Sequence, residues 1–146
     1  MASIKFKANT SMSSSDESIK QEEDLRVDLF KSIVEQDGLT VIPGHYGGEH
    51  CYESLAIART ANDTVTLMLG LKVTDKEGNI LLSSNSLGAH MQYSPEWIQI
   101  LIFSLSLSDE LKGFSEMIAE AHKTDTLVRG VLYVDKADAK VKAIRV

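Results

Sequence analysis

Between Asn62 and Ser83 the apolar residues Val65, Leu67, Leu69, Leu71 and Val73 occupy every second position, and Thr64, Thr66, Met68, Gly70, Lys72 and Thr74 fill the other register. Strand side chains alternate between two faces, so this spacing predicts a strand with one apolar and one mostly polar face. The run Asp75-Lys76-Glu77-Gly78-Asn79 reads as a short turn, and Ile80, Leu81 and Leu82 as the returning arm of a hairpin. Gly70 has two readings. It marks a bulge or close approach in a strand that bends, as a small closed barrel requires, or it is a gap under a neighbouring side chain.

The same patterning organises the rest of the chain. Ile4-Lys5-Phe6-Lys7 alternates as a short edge strand would, its lysines guarding against pairing with other chains. Asn9–Ser18 has almost nothing to bury and reads as a mobile linker. Leu25, Leu29, Phe30, Ile33 and Val34 recur at helical spacing, predicting a helix over 18–36 that opens on Glu22-Glu23-Asp24 and ends at Gly38. Leu39–Ile42 is a short extended piece, Gly44–His50 a flexible loop, and Cys51–Arg59 a strand with Leu55 and Ile57 inward.

Ser84–Tyr93 is polar and irregular, with His90, Met91 and Tyr93 as loop residues. Ser94-Pro95-Glu96 has the chemistry of a helix start: N-cap, proline at the first helical position, carboxylate in the first turn. The apolar run Trp97–Leu107 fits a buried helix and one face of a strand equally well, and the cap favours the helix. Ser108-Asp109-Glu110 predicts a further N-cap, ahead of Leu111, Phe114, Met117, Ile118 and Ala121 on one helical face. Leu127–Val134 alternates again, with Arg129, Val131 and Tyr133 on one side. Asp135–Ala139 is a turn and Lys140–Val146 a last strand.

Composition narrows the classes. The chain has 146 residues, 43% of them apolar and 25% charged, enough for one domain with a sizeable core. No apolar run reaches the length of a membrane span, and Met1–Lys5 lacks the apolar centre of a secretory signal. A single cysteine, Cys51, excludes an internal disulfide and suits a reducing cytoplasm. His45, His50 and Cys51 match no strong metal-binding spacing, and no metal or cofactor is implied. A net charge of −6 weighs against nucleic-acid binding unless a local basic face exists.

From Cys51 onward the order is strand, strand–turn–strand, helical insert, strand–turn–strand. The expected class is therefore mainly β with helices (α+β): an OB-fold-like five-stranded Greek-key barrel with an N-terminal helix. Residues 1–18 form an arm and mobile linker, and 19–146 a single domain. Ile42-Pro43-Gly44 leading to Tyr52-Glu53, the arm V-T-D-K-E-G-N ending at Asn79, Trp97 opening an apolar run, and the closing Val141-Lys142-Ala143-Ile144 carry a resemblance. Over residues 41–146 the chain resembles the OB-fold single-stranded-DNA-binding proteins of phages and prophages. It departs from bacterial members of that group in ending Ile144-Arg145-Val146, with no acidic tail.

The resemblance implies sequence-tolerant binding of single-stranded DNA during replication or recombination, in a cytoplasm (the host's, for a viral protein). Such binding needs cations along the backbone path and aromatic faces for the bases. Candidate cations are Arg59, Lys72, Lys76, Arg129, Lys140 and Lys142. Candidate stacking groups are Tyr133, Tyr46, Tyr52 and Tyr93.

Alternatives belong to other classes. An amphipathic N-terminal helix and an acidic linker suit a protein-interaction module or a phage accessory protein, homo-oligomeric through Ile4–Lys7. The Gly44–Gly48 loop suits capture of a nucleotide signal. Catalysis is not expected, because Asp75, Glu77, His90 and His122 lie on separate elements with no nucleophile–base–orienter set.

Overall fold

The computed structural model describes residues 16–47, 53–60, 63–84 and 87–146. The elements run α1 (Asp16–Gln36), β1 (Thr40–Ile42), β2 (Ser54–Arg59), β3 (Val65–Val73), α2 (Pro95–Ser106), α3 (Lys112–Lys123), β4 (Leu127–Asp135) and β5 (Lys140–Arg145). The expected strand at Ile4–Lys7 and most of the linker expected at Asn9–Ser18 lie outside the described residues, and the last three linker residues, Asp16–Ser18, open α1 instead.

The strands form one sheet in the order β1-β2-β3-β4-β5, antiparallel except for the parallel pair β3–β4. This is an α+β architecture with an open mixed sheet. β1 and β5 are its two edges, and no pairing among the described residues closes it into the expected Greek-key barrel. Two helices between β3 and β4 supply the crossover that a parallel pair requires. The hairpin expected at 65–82 keeps its turn: Asp75 Oδ1 accepts from the backbone N–H of Glu77 and Asn79 at 3.0 and 2.8 Å. Its second arm is not a strand. The flank of β3 is taken by the longer β4, and Ile80 and Leu82 turn off the sheet to pack on an apolar cluster.

Helices cover both faces of the sheet. On one, Phe30 and Val34 of α1 meet Ala56, Leu71, Leu132 and Val134. On the other, Trp97, Ile98, Leu101 and Leu105 of α2 and Ile118 and Ala121 of α3 meet Leu55, Ile57, Leu67, Leu69 and Val131. The ambiguous run at 97–107 is thus helical to Ser106. Ser94 caps it, its Oγ accepting from the N–H of Trp97 at 3.2 Å, with Pro95 in the first turn. Ser108 does not cap α3 as expected. Its carbonyl closes a turn onto the Leu111 N–H, and the helix starts at Lys112 without a side-chain cap.

Gly70 is both a bulge and a close approach. From Leu69 to Lys72 β3 takes three steps, while its partners on β4, Val131 and Tyr133, are two apart. The extra residue swaps faces beyond it, so Leu71 joins Phe30 and Lys72 leaves the register of Met68. A Cβ at Gly70 would stand 2.6 Å from the Leu132 carbonyl oxygen and 3.2 Å from a Phe30 ring carbon. Backbone cannot yield as a flexible side chain does. Gly70→Ala should therefore destabilise the fold by about 1–3 kcal/mol, read as a lower urea midpoint at unchanged slope; an unaltered midpoint would show that the strands separate freely there.

Candidate interaction surface

The strand-face cations expected from the sequence are mostly spoken for. The bulge turns Lys72 into a buried ion pair, its Nζ donating to Glu53 Oε2 at 2.9 Å with both side chains 6% exposed. Gln92 completes the cluster. Its amide nitrogen donates to Glu53 Oε1 and to the Tyr46 carbonyl, both at 2.8 Å, while its oxygen accepts from the Ser83 N–H at 2.8 Å. A buried charge without hydrogen-bonded compensation is costly, and here three chain segments provide it.

Lys142 bridges Asp135 and Asp138 at 2.8 and 2.9 Å. The hydrogen bonds it donates hold both carboxyls below their usual range, and the same bonds raise its own ammonium well above the lysine value. Arg129 is half-buried and donates to the Tyr93 carbonyl at 3.2 Å. Its strand has no solvated face, because helices lie on both sides of the sheet. Arg59 is exposed at the end of β2, in a cleft it shares with Asp63 and Glu120. Lys76 and Lys140 are exposed at the opposite end of the sheet, given the pairings Arg59↔Val65, Val73↔Val134 and Asp135↔Lys140. Arg59 is thus separated from Lys76 and Lys140 by the length of the sheet.

The tyrosines are equally committed. Tyr46 is 5% exposed and its hydroxyl donates to the Pro43 carbonyl at 2.7 Å; burial pushes its pKa up to about 12. Tyr93 is 3% exposed, donates to the Gly130 carbonyl at 2.7 Å and sets its ring edge-on to Trp97, with centroids 5.5 Å apart. Burial raises its pKa well above 10.0. Neither ring offers a face to a base. Tyr133 is half-buried beside Ile80, Leu82 and Val131, and Tyr52 lies outside the described residues.

Among the described residues Leu25, Leu81, Met91, Phe103, Leu107, Ile144 and Val146 are exposed large apolar side chains, and two of them, Phe103 and Leu107, stand one turn apart, on α2 and at its C-cap. Trp97, Ile98, Leu101 and Leu105 take the inner side, yet Phe103 is 64% and Leu107 72% exposed. With half-buried Ile100 they make a stripe at spacings of three and four, about 10 Å long, on the opposite side. Sequence reasoning saw its signal without reading it. The run fits strand and helix alike because eight of its eleven residues are apolar, more than one buried side of a helix uses.

Among the described residues no helix is long and apolar enough to cross a membrane. None of their histidine, cysteine or acidic side chains gathers in the groups of three that could hold a metal. Compared with protein-family models, curated proteins and solved structures, the chain matches none.

Two measurements check the polar contacts. Glu53→Gln should cost about 3–5 kcal/mol by leaving the Lys72 ammonium uncompensated, and Lys72→Met in the same chain should restore most of it in urea titrations. A double variant whose loss equals the sum of the Glu53→Gln and Lys72→Met losses would mean that the pair is not coupled. For the surface triad, carboxyl NMR should place the Asp135 and Asp138 midpoints below 3.8, and Lys142→Met should move both upward. The sign follows from linkage. Depressed folded-state values give stability that is complete above the unfolded carboxylate pKa and lost as pH falls through the lowered one.

Proposed function

We propose that this chain is a protein-interaction module that docks a partner through the outward stripe of α2. The observation that carries the reading is the stripe itself. Ile100 and Phe103 stand on α2 and Leu107 is its C-cap residue, and the inner side of the helix is already filled. Covering three such side chains is worth about 1.5–3 kcal/mol each at full burial, enough to drive association once a complementary apolar face is present. Surface leucines scattered singly need no explanation, but a continuous stripe along one helix does.

Binding of single-stranded DNA, which the resemblance implies, has less support. The OB-like barrel that would carry it needs a closed sheet. Of the expected cations, those that are exposed, Arg59, Lys76 and Lys140, are divided between the two ends of the sheet, and Tyr46 and Tyr93 are core residues. Fluorescence anisotropy with labelled oligo-dT at low salt should show no saturable binding, whereas a tight, salt-sensitive isotherm would overturn this preference.

The direct test places a photo-activatable phenylalanine analogue at position 103 in the cells that produce the protein. We expect one discrete protein adduct, absent when the analogue stands at Lys140. A Phe103→Glu/Leu107→Glu variant should stay within about 0.5 kcal/mol per substitution of the parent as an isolated chain, since neither side chain is part of its core. Adducts of equal yield from both positions would remove the case for α2.

A further inference from the structure

We infer that this chain holds a small organic monocarboxylate in a cavity where α1, the end of β3 and residues 81–84 meet. The cavity has a volume of about 430 Å³, inside the range of small-molecule sites of roughly 300–1,000 Å³. Among the described residues its wall comes from Arg26 of α1, Lys72 and Val73 of β3, Glu53 and residues 81–84. Two local features create it. The bulge at Gly70 takes Lys72 out of the register of Met68. The segment after the turn at 75–79 leaves the sheet, so residues 81–84 line a cavity instead of extending a strand pair. Arg26 is anchored beside them, its Nη2 donating to the Leu71 carbonyl at 3.3 Å.

Donors outnumber acceptors on this wall. Glu53 has both carboxylate oxygens occupied, Oε2 by Lys72 at 2.9 Å and Oε1 by Gln92 at 2.8 Å. The Lys72 ammonium has three protons, and among the described residues only Glu53 accepts one of them. Two protons on a side chain 6% exposed are therefore left for an acceptor in the cavity that Lys72 lines. A buried ion pair does little for stability beyond what apolar residues of the same volume would give, so folding alone does not account for this one.

The class of ligand follows from charge and lining. The described wall carries two cations and one carboxylate in a chain of net charge −6. Its sum of +1 is balanced by a single carboxylate, whose oxygens take strong hydrogen bonds from ammonium and guanidinium groups. A doubly charged phosphate monoester exceeds that sum and faces Glu53, which can only accept. Val73, Leu81 and Leu82 suit a short hydrocarbon body, and Leu81, 68% exposed, is a lip that such a body covers. Among the described residues no part of α2 belongs to the wall, so ligand binding here and docking on α2 are separate properties of the molecule.

Amide NMR on the full, isotope-labelled chain tests this, with hexanoate as the probe and neutral hexanamide and dianionic hexyl phosphate as comparisons. Hexanoate should give saturable shifts, largest at Val73 and residues 81–84, and should bind roughly tenfold or more tighter than either comparison. Arg26→Gln should weaken hexanoate by a similar factor. So should Ser84→Glu, which sets a carboxylate at an exposed position of the wall without touching the core. Arg59→Gln, at the other end of the sheet, should change nothing. Four results overturn the inference: no saturable shift with hexanoate, shifts centred away from the cavity, comparable affinity for hexanamide or hexyl phosphate, or a Ser84→Glu variant that binds as the parent does.

Discussion

The structure depends on a central strand pair covered from both sides. β3 and β4 run parallel through the middle of the sheet, with α1 pressed on one face and α2 and α3 on the other. A parallel pair cannot be joined by a tight turn, so the α2–α3 crossover is a geometric consequence of that pairing. Burial on both faces accounts for the fate of the polar register of β3. Thr66 and Met68 lie half-buried towards α1, and Lys72 is held by Glu53. The contact at Gly70 fixes how closely these layers pack, since only a residue without a Cβ lets the Leu132 carbonyl and the Phe30 ring come so near.

What the sequence made legible was local. The helix over 18–36, the capped start at Ser94-Pro95-Glu96, the turns at 75–79 and 135–139, and the strands at 65–73 and 127–134 all follow from period, cap and turn chemistry. Pairing was not legible. Ile80–Leu82 has the pattern of a returning arm, and it lost its place to a strand beginning at Leu127, far along the chain. One extra residue at the bulge reversed the face of Lys72, because a strand's period of two leaves no tolerance for a slip. Tyr46 and Tyr93 sit among polar and glycine neighbours that read as loop, and their burial comes from packing into the core cluster with residues far along the chain. Of the candidate strand-binding residues, those that stayed exposed were separated by the length of the sheet.

The outer side of α2 has the opposite history. Its residues were visible from the start, but apolar content alone was credited to the core. The structure divides that content between two sides of one helix, and among the described residues only one of them packs on the core. Phe103 and Leu107 are mostly exposed and belong to neither core cluster.

Gln92 gives the molecule a further property. Its single side chain is the meeting point of the Tyr46 carbonyl, the Glu53 carboxylate and the Ser83 amide, and its own backbone N–H donates to the Ser83 carbonyl at 2.8 Å. Connections that ordinarily fray one at a time are thereby knotted together. Loosening any one of them strands polar groups in the other two, so this rim of the sheet opens as a cooperative unit and its amides exchange with solvent in concert.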